Sequence, residues 1–275
     1  MRRLLRRSLF KIIKLSDMIT LINNQAINKQ DAKVDLFSEA VLFGFGLFET
    51  FRTYPDQRFF RLDDHINRLM ESAGRIRLNI DYSDGQIRNM VEKVAVQSRY
   101  ELQRFKILAI PGQLIITSSE LILDQSIYEG VGIKPVSQQR ALPEIKSTSY
   151  LDCLLSYKTA QEAGFHDALL VNDQGVITEG SRCNVFWVEN GSVFTKKNQV
   201  LPGITRKAIV EDLTLNVEFK NIHLKNLLKA DEVCISNSIN GIVPVLKIDQ
   251  TPIHNGQMGP YTKAMMQAYH NLTVN

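Results

Sequence analysis

The hydrophobic period of this chain changes often, and that narrows the folds open to it. Short alternating runs bounded by Gly, Pro and Asn recur from the start. They are residues 19–28 turning at Asn23-Asn24, Leu47 to Tyr54, Arg58 to Leu62 after a turn at 55–57, Phe105 to Ile110 stopped by Pro111-Gly112, Leu114 to Ile116, and Leu121 to Leu123. Between them the period lengthens. Leu62, Ile66, Leu69, Ala73 and Ile76 predict an amphipathic helix, and Ile87, Met90, Val91 and Val94 behind Ser83 and Asp84 predict a second. The later half predicts strands at 131–136, 168–171, 176–178, 185–188, 193–195 and 233–236. Helices are expected over 151–160 (ended by Gly164), 207–215 and 224–229. Strands outnumber helices without a regular strand-helix-strand rhythm. The expectation is an α+β protein with a smaller N-terminal α/β domain over 18–125 and a larger, partly barrel-like C-terminal domain over 126–275.

With 275 residues and 44% hydrophobic content the chain can fill two real cores. No apolar run approaches the roughly 18 residues that would cross a bilayer, so a membrane role is not expected. The net charge of +4 is unevenly placed. Residues 1–17 hold six Lys or Arg and one acid, so the chain's +4 less that segment's +5 leaves −1 for the rest. Nucleic-acid binding therefore loses its electrostatic support. The basic segment reads either as a targeting or membrane-surface helix or as a start placed too early, with Met18 as the natural beginning. Cys153, Cys183 and Cys234 are far apart and form no CxxC, and the five histidines are scattered. This points to a reducing, cytoplasmic setting and to no metal site.

Chemistry concentrates between Lys146 and Arg206. Lys146 stands in LPEIKSTSYL after Pro143, an amine able to form a Schiff base and to act as a base. Lys158, inside the predicted helix, is the alternative. Glu179 ends a hairpin strand in VITEGSRCNVFWV, with Asn184 following, and a carboxylate there can keep a ring nitrogen protonated. LPGITR feeds Gly203 into a helix N-terminus, where the N–H groups of Ile204 and Thr205 and the Thr205 hydroxyl can meet one anion. Together these describe a pocket for pyridoxal 5′-phosphate.

The order and spacing resemble the fold type IV pyridoxal phosphate enzymes, which include branched-chain and D-amino acid aminotransferases and aminodeoxychorismate lyase. The resemblance covers residues 18 to about 272. It implies Lys146 as the catalytic lysine and Glu179 as the partner of the ring nitrogen. Leu201 would pack on a ring face, and Ile204, Thr205, Asn237 and Ser238 would sit around the phosphate. Arg68, in DHINRL, matches the family's HxxRL element and is implied as a phosphate ligand. Tyr150 could reach the 3-hydroxyl. The resemblance also implies a homodimer acting on a small amino substrate.

The reaction depends on the substrate side. EVCISNSINGIVPV (232–245) and GFGLFETFR (44–52) resemble the lyases, with Phe48 where aminotransferases often carry Tyr. The first expectation is therefore conversion of 4-amino-4-deoxychorismate to 4-aminobenzoate and pyruvate, through an external aldimine with Lys146 as general base. The alternative is a class IV aminotransferase acting on branched-chain or D-amino acids with a 2-oxo acid acceptor. The glycine-rich, arginine-bearing loop common in the lyases is absent after Gly112. Carboxylate recognition would then fall to Arg52, Arg104, Lys106 or Arg182, beside Phe48.

Overall fold

A computed structural model describes residues 18–274; the basic segment 1–17 lies outside the described residues. The chain divides into two compact units. The first runs to Ile122 and also takes in Lys146–Ser149; the second comprises Leu123–Ile145 and the chain from Tyr150 onward.

The first unit is built on a six-stranded sheet in the order β2-β1-β6-β5-β3-β4. Its strands are β1 (Ile19–Ile22), β2 (Gln25–Ala26), β3 (Leu47–Tyr54), β4 (Arg58–Phe59), β5 (Gln103–Ile110) and β6 (Gln113–Glu120). A short helix α1 (Glu39–Leu42) precedes β3, and α2 (Leu62–Ile76) and α3 (Asp84–Gln97) follow β4. The predicted alternation and helical stripe are both present. Leu62, Ile66, Leu69 and Ala73 are buried along α2, and Ser83 caps α3 through a capping box with Gln86. Pro111-Gly112 joins β5 to β6, with Gly112 at φ +72°, the positive φ the second turn position demands. Three expectations change. Leu114–Ile116 is part of one eight-residue strand, and Leu121–Leu123 is not a strand, because the chain leaves the sheet where β6 ends at Glu120. Leu62 opens α2 instead of closing β4.

The second unit holds a nine-stranded mixed sheet that curls into a half-barrel. Its elements in chain order are β7 (Val131–Ser137), α4 (Leu151–Glu162), β8 (Asp167–Val171), β9 (Ile177–Gly180), β10 (Asn184–Glu189) and β11 (Ser192–Thr195). They continue through α5 (Ile204–Asp212), β12 (Val217–Phe219), α6 (Leu224–Leu227), β13 (Glu232–Asn237), β14 (Gly241–Ile248), β15 (Thr251–Pro252) and α7 (Pro260–Val274). The strand order is β12-β11-β10-β13-β14-β7-β8-β9, with β15 on β14. β7 pairs in parallel with both β14 and β8, and most other pairs are antiparallel. One core of Ile133, Leu169, Trp187, Val233, Ile235, Val243 and Val245 lies on one side of the sheet. α5 begins three residues earlier than its apolar period suggested, because Gly203 caps it.

The α+β class and the two-part, half-barrel architecture expected from the sequence are what the chain adopts. Among the described residues, no helix is long and apolar enough to cross a membrane and no cluster of metal-ligating side chains occurs.

Candidate active site

Lys146 lies in a loop, half-buried, and its segment joins the first unit through an isolated antiparallel bridge to β3. Phe48 N–H donates to the Lys146 carbonyl at 2.9 Å, Leu47 bridges Ser147, and Thr148 N–H donates to Gly46 O at 2.9 Å. Glycine is required at 46, where a Cβ would stand 2.8 Å from an Ile110 methyl and 2.9 Å from the Ala109 carbonyl. With its backbone fixed this way, Lys146 holds its ammonium 4.5 Å from the centroid of the Phe48 ring.

Phe48 belongs to a sheet face of one sign. Phe48, Thr50 and Arg52 on β3 stand opposite Leu108, Lys106 and Arg104 on β5. Lys106 also lies over Phe48, at 5.0 Å, and desolvation, with help from Arg104, lowers its pKa. Arg52 stacks on Tyr54 at 4.4 Å, and its Nε is buried without a hydrogen-bond partner. Three of the four cations proposed for substrate recognition thus share one face. Arg182 belongs to the second unit, where it stacks on Tyr157 at 3.5 Å and lies 3.6 Å from Asp167.

The opposite face of β3 carries charge that the sequence reading missed. Glu49 is 1% exposed. Its Oε1 accepts from Arg68 Nε at 2.8 Å, its Oε2 accepts from Arg68 Nη2 at 2.6 Å, and His65 Nδ1 lies 2.7 Å from Oε2. Burial alone would raise the Glu49 carboxyl, but Arg68 and His65 outweigh it and hold the pKa at about 2. Burial lowers His65 despite its bond to Glu49, and the charges of Arg68 and Lys146 add to that lowering. A phase argument could have found both residues. Glu49 is in register with Leu47 and Phe51, and His65 lies within the buried stripe of α2. Arg68, the implied phosphate ligand, is buried and held in a bidentate pair on this unit.

In the second unit, Glu179 sits on β9 with its side chain 5% exposed. Oε1 accepts from Arg140 Nη1 at 2.9 Å, and Oε2 accepts from Leu201 N at 3.0 Å. Asn184, at the start of β10, donates Nδ2 to the Leu201 carbonyl at 2.9 Å. Its Oδ1 fills the space a side chain at 203 would need, since a Cβ there would stand 1.9 Å away. Gly203 N–H closes a tight turn onto Leu201 O at 2.8 Å. α5 then starts with Ile204 and Thr205 buried, and its first N–H groups have no acceptor within the helix. Thr205 Oγ1 is 3.4 Å from the Tyr269 hydroxyl. Glu179, Asn184, Leu201, Gly203 and Thr205 are therefore one connected assembly.

α5 packs against β13, whose end carries Asn237 and Ser238. Ser236, paired with Asn184, has a buried hydroxyl with no hydrogen-bond partner. The Asn237 side-chain oxygen accepts from the N–H groups of Ile239 and Asn240. Tyr150 donates its hydroxyl to the Ser181 carbonyl at 2.6 Å, and burial pushes its phenol well up. The donors fit a phosphorylated pyridine: a buried carboxylate for a ring nitrogen, a nine-residue helix N-terminus for a phosphate, and an orphan hydroxyl beside it.

The comparisons agree with this geometry. The family model described as amino-transferase class IV matches residues 46–248. The chain belongs to the class IV aminotransferase family. It is 29% identical to a D-alanine aminotransferase of Listeria monocytogenes, over 92% of this chain and 95% of that protein. It is 27% identical to the branched-chain-amino-acid aminotransferase of Escherichia coli K12, over 91% of each. The crystal structure of the E. coli branched-chain aminotransferase superposes with a TM-score of 0.87 at 26% identity, covering 93% of this chain and 94% of that one. The chain is an enzyme of this class, and the coenzyme expected from the sequence, pyridoxal phosphate, stands with it.

Proposed function

We propose that this chain is an aminotransferase that moves an amino group between an amino acid, branched-chain or D-configured, and a 2-oxo acid. The observation that carries the reading is full-length similarity to enzymes named for those two activities, spanning more than nine-tenths of both chains. That reverses the order of the two reactions expected from sequence, where the lyase stood first. Pyridoxal phosphate supplies an aldehyde that links to amines and a ring that draws electrons from the substrate carbon. Lys146 holds the coenzyme and then serves as the base that takes and returns a proton at the substrate's reacting carbon. Glu179 keeps a proton at the ring nitrogen. Ile204, Thr205, Ser238, Asn237 and Arg68 receive the phosphate, and Leu201 backs the ring.

A second reading retains the lyase. Its support is the element 232–245 together with the cationic face of Arg52, Arg104 and Lys106, which suits a substrate with two carboxylates. The two separate in a paired assay on the coenzyme-loaded protein. Under the first reading, D-alanine or a branched-chain L-amino acid alone converts the coenzyme to its amine form, and a 2-oxo acid restores it. Under the second, amino acids do nothing and aminodeoxychorismate yields pyruvate and 4-aminobenzoate.

We also infer a homodimer. Val34, Leu36, Phe37, Val41, Leu42 and Phe43 are all exposed within ten residues around α1, with Phe37 at 79% and Phe43 at 73%. So dense an apolar stretch calls for a cover, and a second copy of the chain is the cover this family supplies. Each phenyl left in water instead of an interface forfeits roughly 1.5–3 kcal/mol. The double variant Phe37→Asp, Phe43→Asp is expected to sediment as a monomer where the wild type sediments as a dimer; a monomeric wild type refutes the inference.

A further inference from the structure

Arg140 was not among the residues singled out in the sequence, yet it joins Glu179 to the loop that ends at Lys146. It lies in the loop that leaves β7 and ends at Lys146. Its Nη1 donates to Pro143 O at 2.7 Å and to Glu179 Oε1 at 2.9 Å, and its Nη2 donates to Ile145 O at 2.6 Å. The Arg140 side chain is 12% exposed. Ile145, whose carbonyl it holds, is the residue covalently joined to Lys146.

We infer that Arg140 is a positioning residue for the proposed reaction, one guanidinium that fixes the Glu179 carboxylate and the peptide leading into Lys146 against each other. The inference rests on the coenzyme reading above and adds a residue to it. A planar guanidinium holds its acceptors in fixed directions, which an ammonium cannot do. Two of the three acceptors are carbonyls of the loop that ends at Lys146, so that loop is anchored just before the reactive amine. The third is the carboxylate expected to face the ring nitrogen, and Leu201 N–H grips its other oxygen. Loop anchoring alone would need only the two carbonyls. Reaching a buried carboxylate as well gives Arg140 an electrostatic consequence. The cation stabilises the Glu179 anion and weakens its hold on a proton shared with the ring. Arg206 acts in the same direction from α5, since its charge and that of Glu179 interact while its Nη2 bonds the carbonyls of Lys196 and Lys197.

The test loads wild type, Arg140→Met and Arg140→Lys with pyridoxal phosphate. It follows the pH midpoint of the visible coenzyme band and the rate at which borohydride traps the coenzyme on Lys146. For Arg140→Met, the midpoint moves by about half a unit or more, and trapping slows about tenfold. Arg140→Lys keeps the charge but cannot span three oxygens, so the midpoint returns toward wild type while trapping stays slow. A residue needed only for folding would lower thermal stability without separating the two readouts. Wild-type midpoint and wild-type trapping in Arg140→Met overturn the inference. Should that variant fail to fold, normal trapping in Arg140→Lys overturns it instead. No coenzyme band in the wild type sinks the coenzyme reading and this inference with it, whereas a normal wild-type band beside unchanged variants sinks this inference alone.

Discussion

Replacing Lys146 by Ala is expected to leave a folded protein that binds pyridoxal phosphate without covalent attachment. Borohydride followed by mass spectrometry finds the adduct on the wild type and none on the variant. Turnover of the amino substrate falls by at least about 10²–10⁴-fold, the range for loss of a positioned acid-base group, and the lost covalent anchor adds to it. Folding should survive because backbone hydrogen bonds hold this segment to β3: the Lys146 carbonyl accepts from Phe48 N–H, and the neighbouring Ser147 and Thr148 pair with Leu47 and Gly46. The side chain approaches the Phe48 ring, a contact the sheet does not depend on for its pairing. Lys158→Ala is the control. Lys158 lies on α4, and the same adduct and turnover as wild type are expected there. An adduct that persists in Lys146→Ala and disappears in Lys158→Ala would transfer the whole assignment to α4.

Legibility in this chain followed the range of the interaction. The amphipathic stripe of α2, the capping box of α3 and the Pro111-Gly112 turn rest on contacts within a few residues, and each could be read from its own segment. α7 could not. Its N-terminus is capped by Glu232, which accepts from Tyr261 N at 3.0 Å and Thr262 N at 2.7 Å from a strand almost thirty residues earlier. No Ser, Thr, Asp or Asn stands immediately before Pro260 to announce a start, and Gly259 is there because the Glu232 carboxylate fills the space of its Cβ. The site divides the same way. Lys146, Glu179 and LPGITR stand out in the sequence because a coenzyme pocket calls for an amine, a carboxylate and a helix N-terminus, and the family resemblance supplies their order. Arg140 looked like one more loop arginine, and its role appears only when β9 brings Glu179, 39 positions away, onto its guanidinium. Glu49 was hidden by its neighbours, since FETFR directs attention to Phe48 and Arg52 on the open face while the acid points into the core.

That hidden acid leads to the largest stability effect expected in the molecule. Glu49→Gln keeps the shape of the side chain and removes the charge that Arg68 and His65 surround. The Arg68 guanidinium would then remain buried opposite a neutral amide. Breaking one partner of a buried pair costs about 3–5 kcal/mol. The pH dependence gives a second estimate. The carboxyl falls from 4.5 to about 2 on folding, which corresponds to about 3 kcal/mol of stability at neutral pH. The sign follows from the direction of the shift. Because the folded pKa lies below the unfolded one, the contribution is complete above pH 4.5 and drains away as pH falls toward 2. Urea unfolding at pH 7 should therefore show Glu49→Gln well below wild type. Between pH 4.5 and 2 the wild type alone loses this contribution, so the gap between the two narrows. A gap that stays constant across that range would mean the carboxylate is not held by Arg68 and His65, and the buried pair behind β3 would lose its standing as the anchor of Arg68.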